Sequence, residues 1–422
     1  MKEVVFESLY EIPSRNGVTK PRGIRGNGYK MINMGELFAY GRINNPDMDL
    51  VPLTLKELEN FQVKEGDLLF ARQSLIASGA GKCSIVIKCP EITVFESHII
   101  RVRLNKEKCN PLFYYYYFSS PIGIEKTQSL VSQVAAAGIR GSELSKLMVH
   151  YFEKEKQDKI AKILSNYDDL IENNNKRIKI LEEKAQKIYK EWFVDFKYPG
   201  HETATFKDTE LGKIPSDWKV ESIGNLISNI ESGSRPKGGI NPLEKDIPSI
   251  GAENILGLGK YEYTKEKYIS YDFFSKMKKG KVQNLDVLLY KDGAQLGRKT
   301  IFGENFPHSV CCVNEHVFIL RTNEHISPYY LYFTLDTKEN TEKIKQLNTN
   351  AAQPGINQEQ IKGLKIIQPR KDVINSFDKI ITPIVSQIFK LCIKNKNLKQ
   401  TRDILLPRLV SGEIDVEGME IA

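Results

Sequence analysis

Residues 164–189 read LSNYDDLIENNNKRIKILEEKAQKIY, a long stretch with no glycine or proline near the middle of a 422-residue chain. From just upstream, apolar side chains recur at Ile160, Leu164, Tyr167, Ile171, Ile178, Leu181, Ala185, Ile188 and Trp192. A 4–3 spacing of this kind places them on one face of a helix as a heptad seam. Asn174 is its one polar member. The pattern predicts a helix over 151–197. The same seam returns 217 residues later as Phe377, Ile381, Ile384, Ile388, Leu391, Leu398, Leu405 and Leu409, interrupted by Asn395 and Arg402. It predicts a second helix over 369–411. Pro383 falls inside that pattern, and a proline there removes a backbone hydrogen bond at a cost of about 3 kcal/mol, so the second helix is expected to bend or restart near its beginning.

The shift of 217 belongs to a wider repeat. GIRGSELSKL (138–147) matches GINQEQIKGL (355–364) as G-I-x4-[LI]-x2-L, and PLFYYYYF (111–118) matches PYYLYF (328–333). SHIIRVR (97–103) pairs with EHVFILR (315–321), which aligns His98 with His316 and Arg103 with Arg321. GDLLFAR (66–72) pairs with LDVLLYK (285–291), and NMG (33–35) with SIG (249–251). Five matches in one order indicate an internal duplication. Each copy opens with short runs rich in β-branched and aromatic residues, such as KCSIVIK and DVLLY, bounded by Gly, Asn, Asp and Pro. Such runs read as strands, so each copy is a mixed, mainly β globule followed by a long helix.

Two exposed apolar stripes find their nearest partner in each other. Helix 1 leaves the first globule, a linker leads into the second, and the second globule feeds helix 2. Packed together, the helices run antiparallel. The expected architecture is α+β: a globule over 1–150, a spacer helix over 151–197, a linker over 198–214, a second globule over 215–368, a second spacer helix over 369–411 and a tail over 412–422. The two halves would be related by pseudo-two-fold symmetry, with the two-helix coiled coil as a spacer between the globules.

Composition bounds what such a molecule does. The formal charge of +8 and pI near 8.9 favour an acidic partner such as nucleic acid. The start MKEVVFESLYEIPSRNG lacks the apolar core of a signal peptide, and no apolar run is long enough to span a bilayer, so a cytoplasmic location and no membrane are expected. Six cysteines lie without CxxC spacing and suggest neither a zinc site nor a disulfide framework. ASGAGKCS (77–84) would need a glycine at Ile76 and a hydroxyl at Cys83 to be a phosphate-binding loop. NPLF (110–113) has Leu112 where amino-methyltransferases carry a second proline. Neither motif is met, and catalysis on this chain is not expected; no metal site is either. YYYYF (114–118) suits core packing better than base stacking. His98 and His316, without carboxylate or cysteine neighbours at ligand spacing, read as structural.

The seam helices, the duplicated G-I segment before each, and LGKIPSDW (211–218) at the entry to the second globule together resemble the specificity subunit of type I restriction-modification systems. The first copy has no equivalent of LGKIPSDW. The resemblance implies two target-recognition domains, each reading one half of a bipartite site on double-stranded DNA. It also implies two methyltransferase subunits gripping the helices, with S-adenosylmethionine as their cofactor. A restriction subunit, where one is attached, would use ATP and Mg²⁺. None of these cofactors belongs to this chain.

The residues carry their own case for DNA. In the aligned turns after DLLF and DVLL, Arg72 matches Lys291, and Gly81-Lys82 matches Gly297-Arg298, with Lys299 following. An arginine fork can read guanine O6 and N7 bidentately, and glycine beside a cation lets backbone come close to a phosphate. SGSRPKGG (232–239) adds Ser234, Arg235 and Lys237, and VTKPRGIRGNG (18–28) adds Lys20, Arg22 and Arg25 at a comparable place. Loops carried by a rigid globule are where readout belongs. The competing reading is a coiled-coil scaffold that joins protein partners without binding specific DNA; it leaves the duplicated basic turns unexplained.

Overall fold

The computed structural model describes residues 2–131, 137–239, 243, 245–348 and 355–419. Two compact units emerge: unit 1 comprises Met1–Leu170 with Leu398–Ala422, and unit 2 comprises Ile171–Asn397.

Unit 1 contains β1 (Lys2–Val5), β2 (Tyr10–Asn16), β3 (Tyr29–Ile32), α1 (Met34–Ala39), β4 (Arg42–Asn44), β5 (Asp49–Val51), α2 (Leu55–Phe61), β6 (Leu68–Ala71), β7 (Gln73–Ser74), β8 (Cys83–Lys88), β9 (Thr93–Phe95), β10 (Ile99–Leu104), α3 (Pro111–Ser119), α4 (Pro121–Gln128), β11 (Ala137–Gly138), α5 (Gly141–Leu144), β12 (Met148–Tyr151) and the start of α6 (Lys154–Phe193). Unit 2 continues with β13 (Phe206–Thr209), β14 (Gly212–Pro215), β15 (Lys219–Ser222), α7 (Ile223–Leu226), β16 (Ile227–Ser232), β17 (Ile247–Ile250), β18 (Lys267–Ile269), α8 (Tyr271–Lys276), β19 (Val287–Tyr290), β20 (Lys299–Ile301), β21 (Cys312–Val313), β22 (Val317–Thr322), α9 (Pro328–Asp336), α10 (Lys338–Gln346), α11 (Gln358–Gly363), β23 (Lys365–Gln368) and most of α12 (Lys371–Val410).

The main sheets share one strand order. Unit 1 orders β2-β10-β6-β8 with β4 added at the edge; unit 2 orders β16-β22-β19-β20. The three-stranded β5-β3-β9 corresponds to β18-β17-β21, and the β1-β12 pair to β15-β23. Even the one parallel pairing of each small sheet recurs, β3 with β9 and β17 with β21. This register corrects one sequence match. Ile32 pairs with Phe95 as Ile250 pairs with Val313, so Asn33 answers to Gly251 and the NMG/SIG alignment was two residues out. Arg103 and Arg321 close the same ion pair in their units. Arg103 sets Nε and Nη2 on the Asp67 carboxylate, both at 2.7 Å, and Arg321 does so on Asp286, both at 2.9 Å.

Local sequence explains the helix that backs each main sheet. Asn110 caps α3 by accepting from the Leu112 and Phe113 amides, and Ser327 caps α9 by accepting from Tyr330. A proline stands at the start of both, where its missing N–H costs nothing. Tyr114 to Phe118 and Tyr329 to Phe333 are buried, so the aromatic runs are core.

Both long helices are 40 residues. Among the described residues no helix is long and apolar enough to cross a membrane. Within unit 1, Ile160, Ala161 and Leu164 of α6 share a core with Leu406, Leu409 and Val410 of α12. Within unit 2, Ile178, Ala185, Tyr189 and Trp192 share one with Phe377, Ile381, Ile384, Ile388 and Leu391. In unit 2 Asn174 meets Asn395 and Tyr189 meets Phe377, and in unit 1 Asp168 meets Arg402 while Lys156 meets Asp415 just past α12, so in each unit the segments pack antiparallel. A buried Leu or Ile contributes about 1.5–3 kcal/mol, and the seam supplies many. Ile171 is buried; Leu181, Ile188, Leu398 and Leu405 are half-buried.

Three expectations need correction. Tyr167 is only half-buried; the buried position is Asp168, whose carboxylate accepts from Tyr116 Oη at 2.6 Å and pairs with Arg402 of α12. Arg402, which interrupts the second seam, is thus paired with a carboxylate of the first. Pro383 does not restart the helix: α12 runs unbroken through it, with the ring on an exposed face. Finally, 198–214 is no bare linker. Tyr198 stacks near Trp218, and the β13–β14 hairpin brings Ile214 into the unit 2 core.

Candidate nucleic-acid interface

The turn after β6 is built from backbone first. Gly81 donates its amide to the Ala71 carbonyl at 2.8 Å, and Ala71 donates to Lys82 at 2.9 Å, closing the loop 72–81. In unit 2, Gly297 donates to Tyr290 at 2.9 Å and Tyr290 to Arg298 at 2.7 Å. Both glycines sit at positive φ, 78° and 87°, and both are buried. They are glycines because the turn needs left-handed backbone; the reading that they admit a phosphate is withdrawn.

The cations at the other end of the turn are held the same way twice. The Arg72 amide donates to the His98 carbonyl at 2.8 Å, and the Arg72 carbonyl accepts from Ile139 at 2.9 Å. The Lys291 amide donates to His316, and its carbonyl accepts from Ile356, both at 3.0 Å. Ile139 and Ile356 are the isoleucines of the duplicated G-I motif. That motif is thus the clasp that fixes the cation-bearing strand end, a role that no sequence spacing discloses.

The histidines complete the set. His98 Nδ1 bonds Gln73 Oε1 at 2.9 Å, and His316 Nδ1 bonds Asp292 Oδ2 at 2.5 Å. Gln73 and Asp292 each follow the aligned cation. With Nδ1–H given to Asp292, His316 Nε2 is left to accept from Arg235 Nη2 at 2.8 Å. Arg235 also pairs with Glu315. No carboxylate stands at ligand spacing from His316 in the sequence, but the fold brings Asp292 to it from 24 residues away.

The arrangement is a folded-over turn bearing cations on a braced strand end, present once in each unit. It can donate hydrogen bonds to phosphate or to base edges. A sequence comparison decides what family builds it. The profile of the type I restriction modification DNA specificity domain matches residues 11–183 and again 215–404. The chain belongs to that family.

Relatives of this specificity-domain chain carry matching names. The type I restriction enzyme MjaIX specificity subunit of Methanocaldococcus jannaschii is 28% identical over 315 residues, 73% of this chain and 70% of the relative. The HindI specificity subunit of Haemophilus influenzae is 24% identical over 407 residues, covering 83% of this chain and 87% of the relative. The crystal structure of a type I restriction-modification S subunit from M. genitalium superposes with a TM-score of 0.59 at 16% identity, over 97% of this chain and 95% of that one. At that identity the likeness is one of fold.

The remaining cations of the specificity domains separate into available and engaged. Arg22 and Lys237 are exposed; Arg235 is exposed too, but its guanidinium is engaged by His316 and Glu315. Arg298 is half-buried and opens on a pocket of about 400 Å³ shared with Gln295 and Lys345. Lys291 lies over the Phe318 ring, 5.0 Å from its centre. Arg72 is half-buried with Nη1 on the Ser97 carbonyl at 3.2 Å. Lys82 is exposed, donates to the Phe38 carbonyl at 2.8 Å, and is held below the usual lysine range by burial of its ammonium there. Ser234 is half-buried.

Three candidates are tied inward. Lys20 pairs with Glu57 at 2.9 Å, and Arg25 with Asp49 at 2.7 Å and Asn33 at 3.0 Å. Lys299 is buried, its ammonium donating to Thr341 Oγ1 at 2.6 Å beside Asp336. It is a structural residue and is withdrawn from the interface. A larger cleft in unit 2, about 730 Å³, is lined by Tyr189, Phe193, Tyr330 and Phe333 and shares none of the cation-turn residues.

Proposed function

We propose that this chain is the non-catalytic DNA-reading subunit of a type I restriction-modification complex, with each unit reading one half of an asymmetric bipartite site on double-stranded DNA. What carries the reading is the recurrence of one constellation in both units: cation, hydrogen-bonding residue, histidine and clasping isoleucine, closed by glycine and a second cation. Phosphate contacts from such cations set register, and the side chains that reach base edges specify sequence. Because Gln73 answers to Asp292 and Arg72 to Lys291, the two half-sites differ. The paired long helices set the distance between the half-sites and dock two methyltransferase subunits, one at each helix-globule junction. S-adenosylmethionine is bound by those partners, and ATP with Mg²⁺ by restriction subunits where present. The complex works in the cytoplasm, where the DNA is.

Methylome sequencing of the source strain with and without this gene tests the proposal. Loss of methylation at one interrupted two-part motif on deletion is the expected result. An unchanged methylome would favour a scaffold without sequence-specific DNA binding.

A further inference from the structure

The turn of unit 1 carries something that its counterpart lacks. Between the aligned cation and the aligned glycine, unit 1 has residues 72–81 and unit 2 only 291–297, three fewer. In the shorter loop the one large aliphatic residue, Leu296, is buried in the unit 2 core. In the longer loop two branched aliphatics face water: Leu75 is fully exposed and Ile76 two-thirds exposed.

Their exposure is built in. Ser74 Oγ accepts the Ile76 amide at 3.3 Å, and the Ile76 carbonyl accepts from Gly79 at 3.0 Å. A Cβ at Gly79 would come within 2.3 Å of Ser74 Oγ, so a side chain there would displace the serine that holds the Ile76 amide. Below it, β7 pairs with β11. Lys82 lies over the neighbouring Phe38 ring, 5.2 Å from its centre, and Phe38 itself is partly exposed and would touch a Cβ at Gly79. The result is an exposed apolar tip on the turn that runs from Arg72 to Lys82, the two cations of unit 1. Exposed branched aliphatics on a fixed turn cost solubility and add nothing to this unit's core. The apolar feature that a base pair offers such a tip in the major groove is the 5-methyl group of thymine.

We propose that Leu75 and Ile76 read thymine, contacting 5-methyl groups in the major groove of the half-site assigned to unit 1. The inference rests on the proposed DNA-reading function and adds to it a base identity that unit 2 does not read in this way.

The test uses the chain in complex with its methyltransferase and a duplex bearing the methylome-defined site, in a gel-shift titration. Each thymine of the unit 1 half-site is replaced in turn by deoxyuridine, which pairs identically and lacks only the methyl group. At one or two positions the exchange should weaken binding about fourfold per methyl removed, the equivalent of about 0.8 kcal/mol of lost apolar burial. Leu75→Ser/Ile76→Ser should weaken binding to the thymine duplex by a similar factor, and deoxyuridine should then add nothing. Both positions are exposed, so the variant should melt with the wild type. The inference is overturned if the half-site holds no thymine on either strand, if deoxyuridine is neutral throughout, or if the two losses simply multiply. Preference for the site over a scrambled duplex separates the cases: with it retained, only the thymine contact fails; without it, the DNA-reading proposal fails too.

Discussion

Asn174 donates its side-chain amide to Oδ1 of Asn395 at 2.8 Å, from α6 to α12 in unit 2, and Asn395 donates in turn to Asn175 at 2.8 Å. Both Asn174 and Asn395 are buried. A buried amide pair of this kind is satisfied in one register only, since a slip along the seam would set each amide against leucine or isoleucine. Asn174→Ala should therefore lower the denaturation midpoint, with about 1–3 kcal/mol lost because Asn395 Oδ1 is left without its donor. Asn174→Leu/Asn395→Leu should lose less than the sum of the two single leucine variants. Denaturant titration of all four proteins closes the cycle, and strict additivity would contradict the pairing.

Asp378 on α12 accepts from Ser327 Oγ at 2.8 Å, yet burial dominates and pushes its carboxyl up to about 6 from an ordinary 3.8. The folded state thus prefers the protonated acid. That preference stabilises fully below the ordinary value and is lost as pH rises through about 6. Asp378→Asn, neutral throughout, should melt higher than the wild type above pH 6, with the difference closing between about pH 6 and pH 4. Thermal melts across that range check it; a difference that stays constant or grows on acidification would contradict the assignment.

If helix length sets the gap between half-sites, the gap can be changed without touching the reading surface. Glu183 is exposed on α6. Four helix-forming residues inserted after it add about 6 Å at 1.5 Å per residue, against base-pair steps of about 3.4 Å. The insertion also shifts the seam as a stutter against an unchanged α12, so the realised change should be about one base pair. Methylome mapping should return the same half-sites with a longer gap; an active variant with the original gap would show that the helices are no ruler.

Much of this fold is legible in the chain because duplication writes it twice. The seam, the strand runs and the aligned cations are periodic or repeated signals, and residues as far apart as Arg72 and Lys291 fall on equivalent backbone in the structure. What stays illegible is contact between elements distant in sequence. Nothing near Asp168 announces Arg402, nor does anything near Lys299 announce Asp336 and Thr341, so in the sequence Asp168 does not look like a seam member and Lys299 looks like a surface cation. The G-I motif marks the repeat in the sequence, while its role rests on long-range backbone bonds from Ile139 to Arg72 and from Ile356 to Lys291.

The central claim, that each unit reads its own half of one site, is tested most directly by comparing methylomes of strains carrying the wild-type chain, Arg72→Ala/Lys82→Ala and Lys291→Ala/Arg298→Ala. Each lost base contact should cost about 1–3 kcal/mol. The account predicts that each variant relaxes or loses methylation through one half of the bipartite motif, a different half for each, while the other half and the gap stay fixed. Two variants that both methylate the original motif at the wild-type rate, or that both fail through the same half, would contradict it.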